Sequence, residues 1–269
     1  MIRMLRIYCM LSLAAGAQLL ASDPKNVLSL PPEELNVIVR KTPMPELGDS
    51  RIAKILNRYF KEGLGGPENW NKVVSLKVRG RLETKDGELE LTAYQKKPNL
   101  LKMNLLDKTS QNGLTLAYDG EVAWKKVGRR GQPERMGEAE ARRFIHSARF
   151  GNYLLYPFAG GKRISLVDTV PIDGAICHQI RVELDSGYQV DYYIDIRSYL
   201  EIKVVNTDLR SGAVNSIVYK DYTREFGMPI AKKVESREEG EWVSSLVLEE
   251  IKVNSGVMPW MFHMPDQNQ

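Results

Sequence analysis

Residues 94–105, YQKKPNLLKMNL, and residues 116–124, LAYDGEVAW, decide how this chain is read. They spell an apolar strand ending in a basic pair, a Pro-Asn break, a second strand and a hairpin signal. Pro98 has no backbone N–H, so it can open a strand but cannot sit inside a central one. Asp119-Gly120 offers the positive φ angles that a two-residue hairpin turn requires. Leu101, Met103 and Leu105 recur two residues apart and share one strand face, while Lys102 and Asn104 point away.

The same alternation continues outward. Val74, Leu76, Val78 and Leu82 alternate with Ser75, Lys77, Arg79 and Arg81, and Asp86-Gly87 turns that strand into Leu89, Leu91 and Ala93. Leu114, Leu116 and Tyr118 carry the pattern on. Period-two alternation marks strands with one covered face and one wet face. Further downstream, turn signals at Asp173-Gly174, Ser186-Gly187, Ser211-Gly212, Phe226-Gly227 and Glu239-Gly240 separate strand-like stretches at 176–184, 188–196, 200–208, 214–222, 228–235 and 241–253. Sequential strands joined by short turns predict an antiparallel meander. About ten strands exceed what an open twisted sheet holds without curling, so a barrel or half-barrel is expected.

Two helical patterns interrupt the strands. Asp49-Ser50 can cap a helix whose stripe is Ile52, Ile55, Leu56, Tyr59 and Phe60, with Gly63, Gly65, Gly66 and Pro67 ending it. Residues 138–150 (EAEARRFIHSARF) place Ala141, Phe144, Ile145 and Ala148 on one helical face. They run into the apolar cluster Tyr153-Leu154-Leu155-Tyr156-Pro157-Phe158 before Gly160-Gly161. A helix and apolar loop inserted between two strand groups can plug the mouth of a curled sheet.

The N-terminus reads as a secretory signal peptide: Arg3 and Arg6, an apolar run from Ile7 to Ala17, then small residues. The run is too short for a bilayer span of about 20 residues. Cleavage after Ala17 or after Ala21 fits, the second being preferred, and residues 1–21 are assigned to the signal. Residues 22–48 are dotted with Pro24, Pro31, Pro32, Pro43 and Pro45 and read as an extended leader, and 49–266 as the folded domain. Roughly 245 remaining residues suit one large all-β domain or two small ones. Cys9 lies too early to be the acylated cysteine of a lipoprotein, and its removal leaves Cys177 without a disulfide partner. The chain has 38 basic and 34 acidic side chains, and losing Arg3 and Arg6 leaves 36 against 34. That near-neutral balance gives no electrostatic footprint for nucleic acid.

No catalytic constellation or cofactor motif emerges. His146, His178 and His263 lack metal-ligand spacing, and neither a G-x-S-x-G elbow nor a phosphate loop is present. His178 alternates with Ile176 and Ile180 as a core histidine, Cys177 reads as inert, and Asp191 and Asp195 read as surface charges near Lys203. Lys125, Lys126, Arg129, Arg130 and Arg135 form the one local basic cluster, a solvated hairpin tip or a contact for an acidic surface or anionic headgroups.

Lys97-Pro98-Asn99-Leu100 with the later Tyr118-Asp119-Gly120 and Trp124 resembles the LolA family, periplasmic carriers of outer-membrane lipoproteins. Residues 162–184 and 192–205 are similar to that family's strand, Asp-Gly turn, strand and tyrosine-rich continuation. Residues 253–265 (VNSGVMPWMFHMP) are similar to its closing segment, with Phe262 and Pro265 in register. The resemblance implies a mainly β fold, a curled antiparallel sheet forming an incomplete, half-open barrel covered by helices. It implies a non-enzymatic, monomeric periplasmic carrier that binds lipoprotein acyl chains or another lipid. Such a carrier receives its cargo from an inner-membrane donor complex and passes it to an outer-membrane acceptor, with no cofactor. The alternative within the same fold is a regulatory or scaffold domain that senses lipoproteins through protein contacts. Candidate lipid-binding residues are Leu89, Leu91, Leu101, Met103, Leu105 and Leu116 on the strands, with Phe144, Ile145, Tyr153 and Leu154 in the lid. The family's arginine before Pro-Asn-Leu, implicated in holding the lid, is Lys97 here, a point charge in place of a planar fork.

Overall fold

The computed structural model describes residues 27–29, 47–154 and 162–266. The signal segment, most of the leader and residues 155–161 of the expected lid lie outside the described residues. The chain divides into two compact units, residues 1–71 with 153–243 and residues 72–152 with 244–269. The expected domain 49–266 therefore spans both.

In the first unit, helix α1 (Arg51–Arg58) starts where the sequence places it: the Ser50 hydroxyl accepts the Ala53 N–H at 3.2 Å. A π turn over Tyr59–Gly63 continues it, and Ile52, Ile55, Leu56, Tyr59 and Phe60 are all buried. Pro67 does more than stop this helix. It opens a second one, α2 (Pro67–Lys72), where its missing N–H costs nothing. The stripe of α1 packs into a core with Ile164, Leu166, Ile180, Val182, Val190, Tyr192, Ile194 and Val204. The Tyr59 hydroxyl donates to the Glu201 carboxylate, and the Tyr222 hydroxyl to the Glu201 carbonyl at 2.7 Å.

That core lies on an antiparallel run of β1 (Val27–Ser29), β8 (Lys162–Ile172), β9 (Ala175–Leu184), β10 (Tyr188–Asp195), β11 (Glu201–Asp208), β12 (Val214–Glu225) and β13 (Met228–Glu238), in that order. Asp173-Gly174 and Phe226-Gly227 are two-residue hairpin turns with all four φ angles positive. The short β1, pairing Val27 with Ser165, was not legible in a proline-dotted leader.

The second unit carries β2 (Ser75–Thr84), β3 (Gly87–Lys96), β4 (Leu100–Leu106), β5 (Gly113–Tyr118), β6 (Ala123–Val127) and β7 (Glu134–Arg135). Residues of β14 (Glu241–Val253) from Ser244 onward pair with β2 and complete its antiparallel run. Helix α3 (Glu138–Ser147) packs beside β6 and ends three residues short of the expected Phe150. The fold is thus mainly β and antiparallel, and neither run closes on itself.

Two local expectations are corrected. Asp119-Gly120 is not a two-residue turn, because Tyr118 pairs with Ala123 across four loop residues and only Gly120 has positive φ. The Asp119 carboxylate instead accepts the Glu121 and Val122 N–H groups at 3.0 and 2.7 Å, a turn held by the side chain. Asp191 is not a surface charge. It is buried and held by a two-pronged pair from Arg181 at 2.7 and 2.9 Å.

Candidate lipid-binding face

Strand register brings the predicted strand residues together. Across β3 and β4, Leu91 faces Leu105, Ala93 faces Met103 and Gln95 faces Leu101. Across β4 and β5, Leu101 faces Tyr118, Met103 faces Leu116 and Leu105 faces Leu114. On the β2 side, Leu89 faces Leu82 and Leu91 faces Gly80. Directly opposed residues share a face, so Leu89, Leu91, Leu101, Met103, Leu105 and Leu116 form one patch. Tyr118, Leu114 and Leu82 belong to it as well; the alternation already marked them, and only the register shows which strands bring them together.

Burial across this patch is uneven. Leu89, Leu91, Leu101, Leu105, Leu116 and Tyr118 are buried, whereas Met103 and its neighbour Ala93, in the middle, are only half-buried, as are Leu82 and Leu114 at the margin. A close-packed interior covers its centre at least as well as its margin.

On the other face of the same strands the chain's end packs against Lys102 and Trp124. The Trp124 indole N–H donates to the Phe262 carbonyl at 2.7 Å, and the Lys102 ammonium donates to the Met261 carbonyl at 3.0 Å. Lys102 also lies 5.6 Å from the Trp124 ring centroid, and burial lowers its pKa. Phe262, singled out in the sequence, is fully buried in a 3₁₀ turn over Pro259–Phe262.

Lys97 sits at the turn between β3 and β4, where its ammonium lies 5.6 Å from the centroid of the buried Phe150 ring. The Phe150 N–H donates to the Pro98 carbonyl at 3.3 Å, and the Lys97-Pro98 bond is cis. The turn therefore touches the segment that leaves α3. Burial pushes the Lys97 pKa down to about 8. Helix α3 is tied to β6 by a Lys125–Glu140 ion pair at 2.7 Å, which takes Lys125 out of the expected solvated basic cluster. Phe144 is buried and Ile145 half-buried on it.

Tyr153 and Leu154 belong to the first unit. The Tyr153 N–H donates to the Tyr192 hydroxyl at 2.9 Å, its carbonyl accepts the Lys162 ammonium, and Leu154 is fully buried in the first unit's core. These two residues act there as packing.

Elsewhere, burial pushes the Cys177 thiol up to about 11, which keeps it protonated and unreactive at neutral pH. Among the described residues, no three His, Cys, Asp or Glu side chains converge to hold a metal ion. No described helix is long and apolar enough to cross a membrane.

No family model matches this sequence, and neither does any curated protein. Solved structures do. A LolA superfamily protein from Nitrosomonas europaea matches with a TM-score of 0.55 at 14% identity, over 78% of this chain and 96% of that one. An outer-membrane lipoprotein-sorting protein domain from Vibrio parahaemolyticus matches at 0.51 and 12% identity, over 78% and 94%. A DUF1329 family protein from Desulfovibrio piger matches at 0.55 and 8% identity, over 78% and 95%. The chain is similar to each of them over most of its own length and nearly all of theirs, and its fold is the LolA-like fold.

Proposed function

We propose that this chain is a periplasmic carrier that binds the acyl moiety of lipoproteins, or another lipid, on the apolar face of β3, β4 and β5. The observation that carries this reading is the half-buried centre of that face, where Met103 and Ala93 stand between the buried Leu91, Leu101, Leu105 and Leu116. The need for such a face follows from solvation. Each CH₂ costs about 0.8 kcal/mol in water, so a sixteen-carbon chain costs on the order of 12 kcal/mol to move unprotected. A carrier offsets that cost and must still release its cargo, which calls for a cover that opens. Helix α3 and the segment through Phe150 are that cover in this reading, with Lys97 as the contact that holds it. Cargo then passes from an inner-membrane donor to an outer-membrane acceptor, the two units serving one monomeric protein.

Met103→Glu tests the reading. On a face that lines a cavity, the new carboxylate hydrates when the cover opens, yet it repels an acyl chain. Binding of a fluorescent fatty-acyl probe should fall at least tenfold with the thermal midpoint lowered only modestly. In solid core the same change buries a lone charge at a cost of several kcal/mol and unfolds the unit. Collapse of the fold would therefore refute a cavity at this face. A wild-type protein that binds no acyl probe would favour the scaffold alternative.

A further inference from the structure

A concavity in the first unit differs in chemistry from the apolar face of β3, β4 and β5. It is a groove of about 450 Å³ lined by Arg51, Lys54, Ile55, Arg58, His178 and Tyr199, within the roughly 300–1,000 Å³ of small-molecule sites. Its floor is apolar and fixed. Ile55 and Tyr199 are buried, and Tyr199 holds φ +57°, an uncommon backbone for a bulky side chain. Gly63 lets this backbone approach, because a Cβ there would meet the Tyr199 carbonyl. The Arg58 guanidinium lies 4.5 Å from the Tyr199 ring centroid and is oriented by Glu62 at 3.2 Å. His178 is steadied by Thr169, whose hydroxyl is 3.4 Å from its Nδ1.

The walls are cationic beyond what the fold requires. Arg51 and Lys54 are exposed, and neither pairs with a carboxylate among the described residues. Both stand at the start of α1, which has no acidic residue in its first turn. Cations there oppose the helix dipole, so helix stability does not account for them. Arg51 is felt across the groove: burial, and after it the Arg51 charge, lower the His178 pKa. The Glu62 carboxylate is taken up by Arg58, at 3.2 Å.

We propose that this groove is an anion subsite that takes a phosphate group, with Arg51 and Lys54 as its capturing charges, Arg58 as a fixed donor and Ile55 with Tyr199 as a seat for an adjoining apolar body. The phosphate could come from a lipid headgroup or from free phosphate, and the chemistry of recognition is the same. The proposal does not depend on acyl binding at the face on β3, β4 and β5.

The test is calorimetric titration of the full chain at pH 7 with inorganic phosphate, dihexanoyl phosphatidic acid below its micellar concentration, and dihexanoyl phosphatidylcholine. Each titration is repeated with Arg51→Gln/Lys54→Gln, whose exposed side chains leave the fold unchanged, as checked by the thermal midpoint. Phosphatidic acid should bind the double variant at least tenfold more weakly, with phosphatidylcholine binding unaltered. Phosphatidic acid binding tenfold or more above inorganic phosphate would identify a lipid headgroup, and equal affinities would identify free phosphate. Absence of binding by both phosphate ligands, or equal phosphatidic acid affinity in wild type and variant, would overturn the proposal.

Discussion

At the scale of single residues, Lys97 carries a testable pH dependence. The planar guanidinium expected before Pro-Asn-Leu is replaced by an ammonium that burial holds down at about 8, against 10.5 for an ordinary lysine. The sign of the resulting pH dependence is fixed by that direction. The unfolded chain binds the proton more tightly than the folded one, so stability rises as pH climbs from about 8 toward 10.5. Below pH 8 the fold bears the full cost of the charge. Denaturant unfolding at pH 7 and pH 9.5 should show a gain in wild type that Lys97→Met lacks, and equal slopes in the two proteins would sink the assignment. Because Lys97 lies against Phe150, the same titration should alter hydrogen exchange in residues 138–150, while Lys97→Arg should change that exchange little.

Elements were legible wherever local chemistry decides them. The Ser50 cap, the stripe of α1, most strand spans and the Asp173-Gly174 and Phe226-Gly227 turns all follow from short-range pattern. Pairing was not, since alternation assigns a residue to a face but not to an opposite strand, which is why Tyr118 entered the candidate site only through the register. Leu154 makes the same point in reverse: an apolar residue beside a predicted lid reads identically whether it lines a cavity or fills a core. It is fully buried with Ile164, Tyr192 and α1, and if it fills that core Leu154→Ala should cost about 2–5 kcal/mol in urea unfolding. A loss under about 1 kcal/mol would return it to the lid. Gly80 is a further element-level constraint that alternation alone missed. It lies opposite Leu91 on the candidate face, and a Cβ there would meet the Val247 carbonyl oxygen of the paired strand β14. Gly80→Ala should therefore destabilise the pairing of β2 with β14 by about 1–3 kcal/mol, read as faster amide exchange along β14. Unchanged exchange would mean that the strand yields without penalty.

For the molecule as a whole, the carrier reading demands that the chain travel freely through an aqueous compartment, and this requirement can be tested apart from cargo. Three features bear on it. Arg3 and Arg6 precede a short apolar run that ends in small residues, the pattern of an export signal. That run falls short of the about 20 residues a spanning helix needs. The 36 basic and 34 acidic side chains left after residue 21 give little net attraction to an anionic bilayer. A shuttle that stayed bound to one membrane through bulk charge or a retained anchor could not serve a second one. The exported protein should accordingly begin at Ser22 and fractionate with the soluble periplasm. Intact mass together with osmotic-shock fractionation measures both at once. A mass that retains residues 1–21, found in the membrane pellet, would mean that this protein is tethered and would turn the carrier into a fixed lipid-binding domain.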